Sequence, residues 1–122
     1  MRLIPPSSKK FAPIMISVAM AAMFSVSANV LAAEVDADAA IALAKKNNCF
    51  KCHAIDKTKK GPAYKKIAAK YKGKADGEDK LIKNFTTGPK VKLEDGTEED
   101  HKVIDTKDLK ELKNLAQWIL SQ

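Results

Sequence analysis

Two thiols and an imidazole stand together in Cys49-Phe50-Lys51-Cys52-His53. Two cysteines separated by two residues can add to the two vinyl groups of one haem as thioethers, and the histidine that follows is then held where a ring nitrogen reaches the iron. Three other chemistries share these residue types. A thioredoxin-like redox pair also uses C-x-x-C, but it needs a βαβ surrounding that this sequence does not offer. A plain disulfide between Cys49 and Cys52 would suit an exported chain. Zinc would draw on Cys49, Cys52, His53 and His101, the only other histidine. Adjacent Cys52 and His53 cannot easily both point at one tetrahedral ion, and exported proteins seldom keep thiolates for zinc. Haem attachment is the favoured reading.

The elements that must position these groups read as helices. Asp36 or Asp38 can cap a helix through residues 39–46, with acids at its start and Lys45 and Lys46 at its end, as the helix dipole prefers. It stops at Asn47-Asn48, just before Cys49. Gly61-Pro62 marks a turn, and Pro62 suits the first position of a helix over 63–71, where Tyr64, Ile67, Ala68 and Tyr71 recur at helical spacing. Gly73 and Gly77 close that segment and open a short helix over 78–85, ended by Thr86-Thr87-Gly88-Pro89. From about residue 106, capped by Asp105, the stripe Leu109, Leu112, Leu115, Ala116, Ile119 and Leu120 predicts a final amphipathic helix. No alternating strand pattern is present, so the expected class is all-α with long loops at 49–60 and 86–105.

Length and charge narrow the reading. The chain has 122 residues, with 22 Lys and Arg against 15 Asp and Glu, enough for one small domain and too few for a multidomain enzyme. Residues 1–33 carry Arg2, Lys9 and Lys10, then an apolar run over 11–30, then small residues before Glu34. That layout is a secretory signal, cut after Ala32 or Ala33, and it implies export to the periplasm. An uncleaved membrane anchor is the competing reading; interruptions at Pro13, Ser17, Ser25, Ser27 and Asn29 favour removal, with no stable membrane insertion afterwards. Removing 33 of the 122 residues leaves 89, in which 19 Lys face 15 acids, so the net charge falls from +7 to +4. All four methionines leave with the signal. A chain of this length buries little more than ~60% of its unfolded surface, so a buried prosthetic group is a natural staple.

The sequence resembles the small monohaem class I c-type cytochromes of bacterial periplasms. The resemblance runs through residues 36–122 and rests on Cys49-Phe50-Lys51-Cys52-His53-Ala54-Ile55-Asp56, Gly61-Pro62-Ala63-Tyr64 and Leu115-Ala116-Gln117-Trp118-Ile119-Leu120-Ser121. It implies about four helices around one covalently bound haem c, with the first and last helices crossing. It also implies a hydrogen bond from the second ring nitrogen of His53 to the carbonyl of Pro62, a contact that fixes the tautomer of a ligating histidine. Tyr64, Leu115 and Trp118 are read as core. The implied function is one-electron transfer between redox proteins, not catalysis.

One departure stands out. Most members of that family supply a methionine as sixth ligand from the loop before the last helix, and the exported chain has none. His101 lies 17 residues before Trp118, close to where that methionine would fall, and is expected as the distal ligand. A vacant iron, or one bound by Lys90, Lys92 or Lys102, is the alternative; an open position would suit binding of NO or CO. Two imidazoles predict a lower potential than a Met/His pair, because thioether ligation raises it. Lys45, Lys46, Lys51, Lys57, Lys59 and Lys60 surround the attachment segment and would steer an acidic redox partner. Nucleic acid is not an expected partner of an exported chain with so mild a charge.

Overall fold

The computed structural model describes residues 34–122; the expected signal segment and its cleavage point lie outside the described residues. Four helices occur in the order α1 (Ala37–Lys46), α2 (Tyr64–Tyr71), α3 (Gly77–Thr87) and α4 (Leu109–Leu120), with a single 3₁₀ turn at Cys49–Lys51 between the first two. The all-α expectation holds in class. It misses a small antiparallel hairpin, β1 (Lys90–Lys92) and β2 (Glu98–Asp100), in the loop before α4.

Each helix starts for a local reason. Asp36 caps α1, its Oδ1 accepting the Ala39 N–H at 2.9 Å, while Asp38 lies in the first turn. The cap of α4 is Asp108, which accepts the Lys110 N–H at 2.8 Å. The expected cap Asp105 lies upstream, because Thr106 turns the chain by accepting the Asp108 N–H and donating to Glu111. Pro62 is not the first helical residue: Ala63 is extended and precedes the helix. Gly88 ends α3 in the left-handed conformation, φ 60°. A Cβ there would lie 2.8 Å from the His101 carbonyl oxygen and 2.9 Å from Val103, so glycine allows both the turn and the close return of the chain.

The core is built on α4. Leu112, Leu115, Ala116, Trp118 and Ile119 are buried on one face and pack with Ala40, Leu43 and Ala44 of α1, Tyr64 of α2, and Leu81 and Phe85 of α3. Burying one large aliphatic side chain contributes roughly 1.5–3 kcal/mol. The α1–α4 contact is aligned by a reciprocal amide pair: Asn114 Oδ1 accepts the Asp36 N–H at 2.9 Å, and Asn114 Nδ2 donates to the Asp36 carbonyl at 2.8 Å. Gln117 joins α4 to α3 by donating to Glu78 at 3.0 Å. Among the described residues no helix is long and apolar enough to cross a membrane.

Candidate functional site

The helices enclose a cavity of about 790 Å³, within the range of a site for a large organic ligand. Its wall is mostly apolar, with Ile67 and Tyr71 from α2, Leu81 and Phe85 from α3, Ile104 from the following loop, and Leu115 and Ile119 from α4. Cys49, Cys52 and His53 open onto it, and so does His101.

The end of α1 delivers the thiols. Asn48 adopts the left-handed conformation, φ 58°, which breaks the helix and sends the chain into the 3₁₀ turn; the N–H groups of Cys52 and His53 both donate to the Cys49 carbonyl. The cysteines are half-buried and not joined to each other. Burial is the main force raising the Cys49 thiol pKa, opposed first by a hydrogen bond to its own backbone and less by Lys102 and the Tyr64 hydroxyl. The Tyr64 phenol itself is raised far above its ordinary value, again chiefly by burial.

The His53 ring is held on three sides. Its Nδ1 donates to the Pro62 carbonyl at 2.7 Å, the geometry expected from the resemblance. Tyr64 stacks on it with ring centroids 5.2 Å apart and an interplanar angle of 29°, and Tyr64 is backed by edge contacts from Phe50 and Trp118. Gly61 passes so close that a Cβ would lie 2.9 Å from His53 Cε1. Burial holds the imidazole pKa below its ordinary value, against the pull of the Pro62 carbonyl and helped by the facing His101. The ring is thus biased to the neutral form that binds metals.

His101 follows β2 directly. Its N–H donates to the Pro89 carbonyl at 2.9 Å, and its ring Nδ1 donates to the Lys102 carbonyl at 2.9 Å. A carbonyl only accepts, so in both histidines Nδ1 carries a proton and Nε2 is the nitrogen left for another partner. Neither Nε2 has a protein partner among the described residues. The two ring centroids are 6.1 Å apart. His53 and His101 are the two imidazoles on the cavity wall that would hold the iron of a haem there. A cavity of this size, with paired thiols and two imidazoles on its wall, fits a haem. The other candidate ligands stand differently: Lys90 pairs with Asp100 at 3.2 Å, while Lys92 and Lys102 line the cavity.

Sequence reasoning missed two contributors, Gly61 as a backbone set against His53 and Asn47 as a buried tether. A doubled Asn-Asn beside a cysteine was the available signal for the second.

A four-helix shell around a cavity of this kind defines a small covalent-haem electron-transfer protein. Comparison with known proteins agrees, and the chain belongs to the Cytochrome c family, whose model matches residues 37–122. Cytochrome c-551 of Pseudomonas aeruginosa is 38% identical over 80 residues, 66% of this chain and 73% of that protein. Cytochrome c-552 of Nitrosomonas europaea is 37% identical over 109 residues, covering 80% of this chain and 90% of that one. The match to cytochrome c-551 of Allochromatium vinosum, 42% identical, spans about half (51%) of that protein. Among solved structures, the class 1 cytochrome MtoD from Sideroxydans lithotrophicus ES-1 superposes with a TM-score of 0.69 at 58% identity, covering 72% of this chain and 97% of that one. The protein is a class I c-type cytochrome that carries electrons and is not an enzyme, and its prosthetic group is one covalently bound haem c.

Proposed function

We propose that the protein is a periplasmic monohaem cytochrome that shuttles single electrons between larger redox proteins, with Cys49 and Cys52 as thioether anchors, His53 as proximal ligand and His101 as distal ligand. The N-terminal segment would direct export and be cut from the exported chain after Ala32 or Ala33. Bound haem supplies one-electron chemistry at its iron; the chain holds, orients and shields it. Pro62 fixes the tautomer of His53, and the apolar wall keeps water from the site. Six-coordinate iron changes little on reduction, which suits rapid transfer.

One observation carries the axial assignment: two imidazoles 6.1 Å apart, each with Nδ1 committed to a backbone carbonyl. Bis-imidazole ligation also gives a lower potential than a Met/His relative. The basic rim supports an acidic docking partner, since Lys45, Lys46, Lys51, Lys57, Lys59 and Lys60 are all exposed beside the attachment turn. Lys59 is fixed there by its hydrogen bond to the Phe50 carbonyl.

The test is optical and EPR spectroscopy of the exported, haem-loaded protein, with CO added to the reduced form, beside His101→Ala. The expected wild type is low-spin and indifferent to CO, and the variant high-spin and CO-binding. Wild-type iron that is high-spin and takes up CO readily would overturn the distal assignment and favour gas binding.

A further inference from the structure

Asn47 is the one buried polar side chain among the described residues, 2% exposed. A buried amide is unfavourable unless both of its ends are satisfied, and here both are. Nδ2 donates to the Leu43 carbonyl at 3.0 Å within α1, and Oδ1 accepts the Asp105 N–H at 2.8 Å, across 58 residues of sequence. Asn47 lies two residues before Cys49, and Asp105 four residues after His101. Its side chain therefore joins the helix that delivers the attachment turn to the loop that delivers His101.

That loop has few other ties. The Ile104 N–H donates to the Phe85 carbonyl at 2.8 Å and the His101 N–H to the Pro89 carbonyl at 2.9 Å. Upstream there are only two three-residue strands, exposed apart from Val91, and a lone two-stranded hairpin is marginally stable in water. Among the described residues the bond from Asn47 is the only side-chain hydrogen bond to residues 101–105 from another element; the other polar tie, the ion pair of Lys46 with Asp105 at 3.9 Å, is exposed and contributes little.

We infer that Asn47 is a positioning residue for the distal imidazole, clamping the chain that leaves His101 onto the end of α1 and so limiting how often His101 departs from the site. This rests on the reading of His101 as distal ligand. The role differs from core packing, because its effect is on a ligand's lability and not only on the stability of the fold.

The test uses the haem-loaded protein. In reduced Asn47→Leu, close to asparagine in volume, CO binding limited by His101 departure should speed up about fivefold to tenfold, the effect of losing one buried hydrogen bond. Leu112→Ala, which truncates the core on α4 away from the cavity, should lower the melting temperature without that acceleration. A second readout needs no variant: the Asp105 amide belongs to an exposed residue, so slow hydrogen exchange there in the wild type reports the Asn47 bond. Unchanged CO kinetics in Asn47→Leu, or fast exchange of the Asp105 amide, overturns the clamp even where His101→Ala opens the iron. If His101→Ala leaves spin state and CO binding unchanged, the distal assignment fails and the clamp with it.

Discussion

Gly61→Ala isolates the contact between the backbone and the His53 imidazole. The φ of Gly61 lies outside the left-handed region, so alanine meets no backbone strain and only its methyl matters. That Cβ would lie 2.9 Å from Cε1 and 3.2 Å from Nδ1 of His53, where ordinary contact begins near 3.4 Å. The backbone has little room to yield, because the Gly61 N–H donates to the Cys52 carbonyl at 2.8 Å. The ring must therefore retreat by roughly 0.5 Å, stretching the 2.7 Å bond to Pro62 toward about 3.2 Å, the far end of the N–H···O range. With His53 as the proposed iron ligand, that bond would make the imidazole a better donor and favour ferric iron. Weakening it by about 0.5–1 kcal/mol raises the potential by roughly 20–40 mV, at 59 mV per tenfold for one electron. Potentiometric titration of the haem-loaded wild type and variant measures the shift. A lower potential, or one unchanged with the melting temperature also unchanged, refutes the reasoning.

Two further outcomes are expected. Leu115→Ala removes a side chain 2% exposed that lines the haem cavity and should cost about 2–5 kcal/mol, read by denaturant unfolding; a loss under about 1 kcal/mol would mean that the haem itself fills the gap. Association with an acidic redox partner should slow as ionic strength rises from ~0.01 to ~0.15 M, over which the screening length falls from ~30 to ~8 Å. Lys57→Glu with Lys60→Glu should flatten that dependence in stopped-flow electron transfer, and a salt-independent wild-type rate would sink the basic-rim proposal.

Much of this protein was legible because its signals are local. The attachment pentapeptide depends only on adjacent residues, and the stripe on α4 repeats at helical spacing, so both appear in the structure at their expected places. The α4 cap was misread because Asp105, Thr106 and Asp108 are all capping types within four residues, and hydrogen bonds at Thr106 decide among them. The hairpin was illegible for a different reason. Lys-Val-Lys and Glu-Glu-Asp carry no apolar alternation; their pairing, Lys90 opposite Asp100 and Lys92 opposite Glu98, is a matter of register between segments. Asn47 looked like a helix stop, and its second bond, to a residue 58 positions away, leaves no trace in its neighbours.

If His101 is the distal ligand proposed above, the hairpin bears on how concentrated its imidazole is at the site. Between Thr87 and Leu109 the chain runs 21 residues, of which the hairpin from Lys90 to Asp100 takes up 11. Chain outside the hairpin is thereby cut to 10 residues, and since closure probability scales as about the −3/2 power of length, that shortening alone would raise the effective concentration of His101 about threefold. Because oppositely charged strands supply the shortening, the loop can change length or sequence while the four helices stay as they are. In this architecture ligand supply and core stability are separate variables, open to adjustment one at a time.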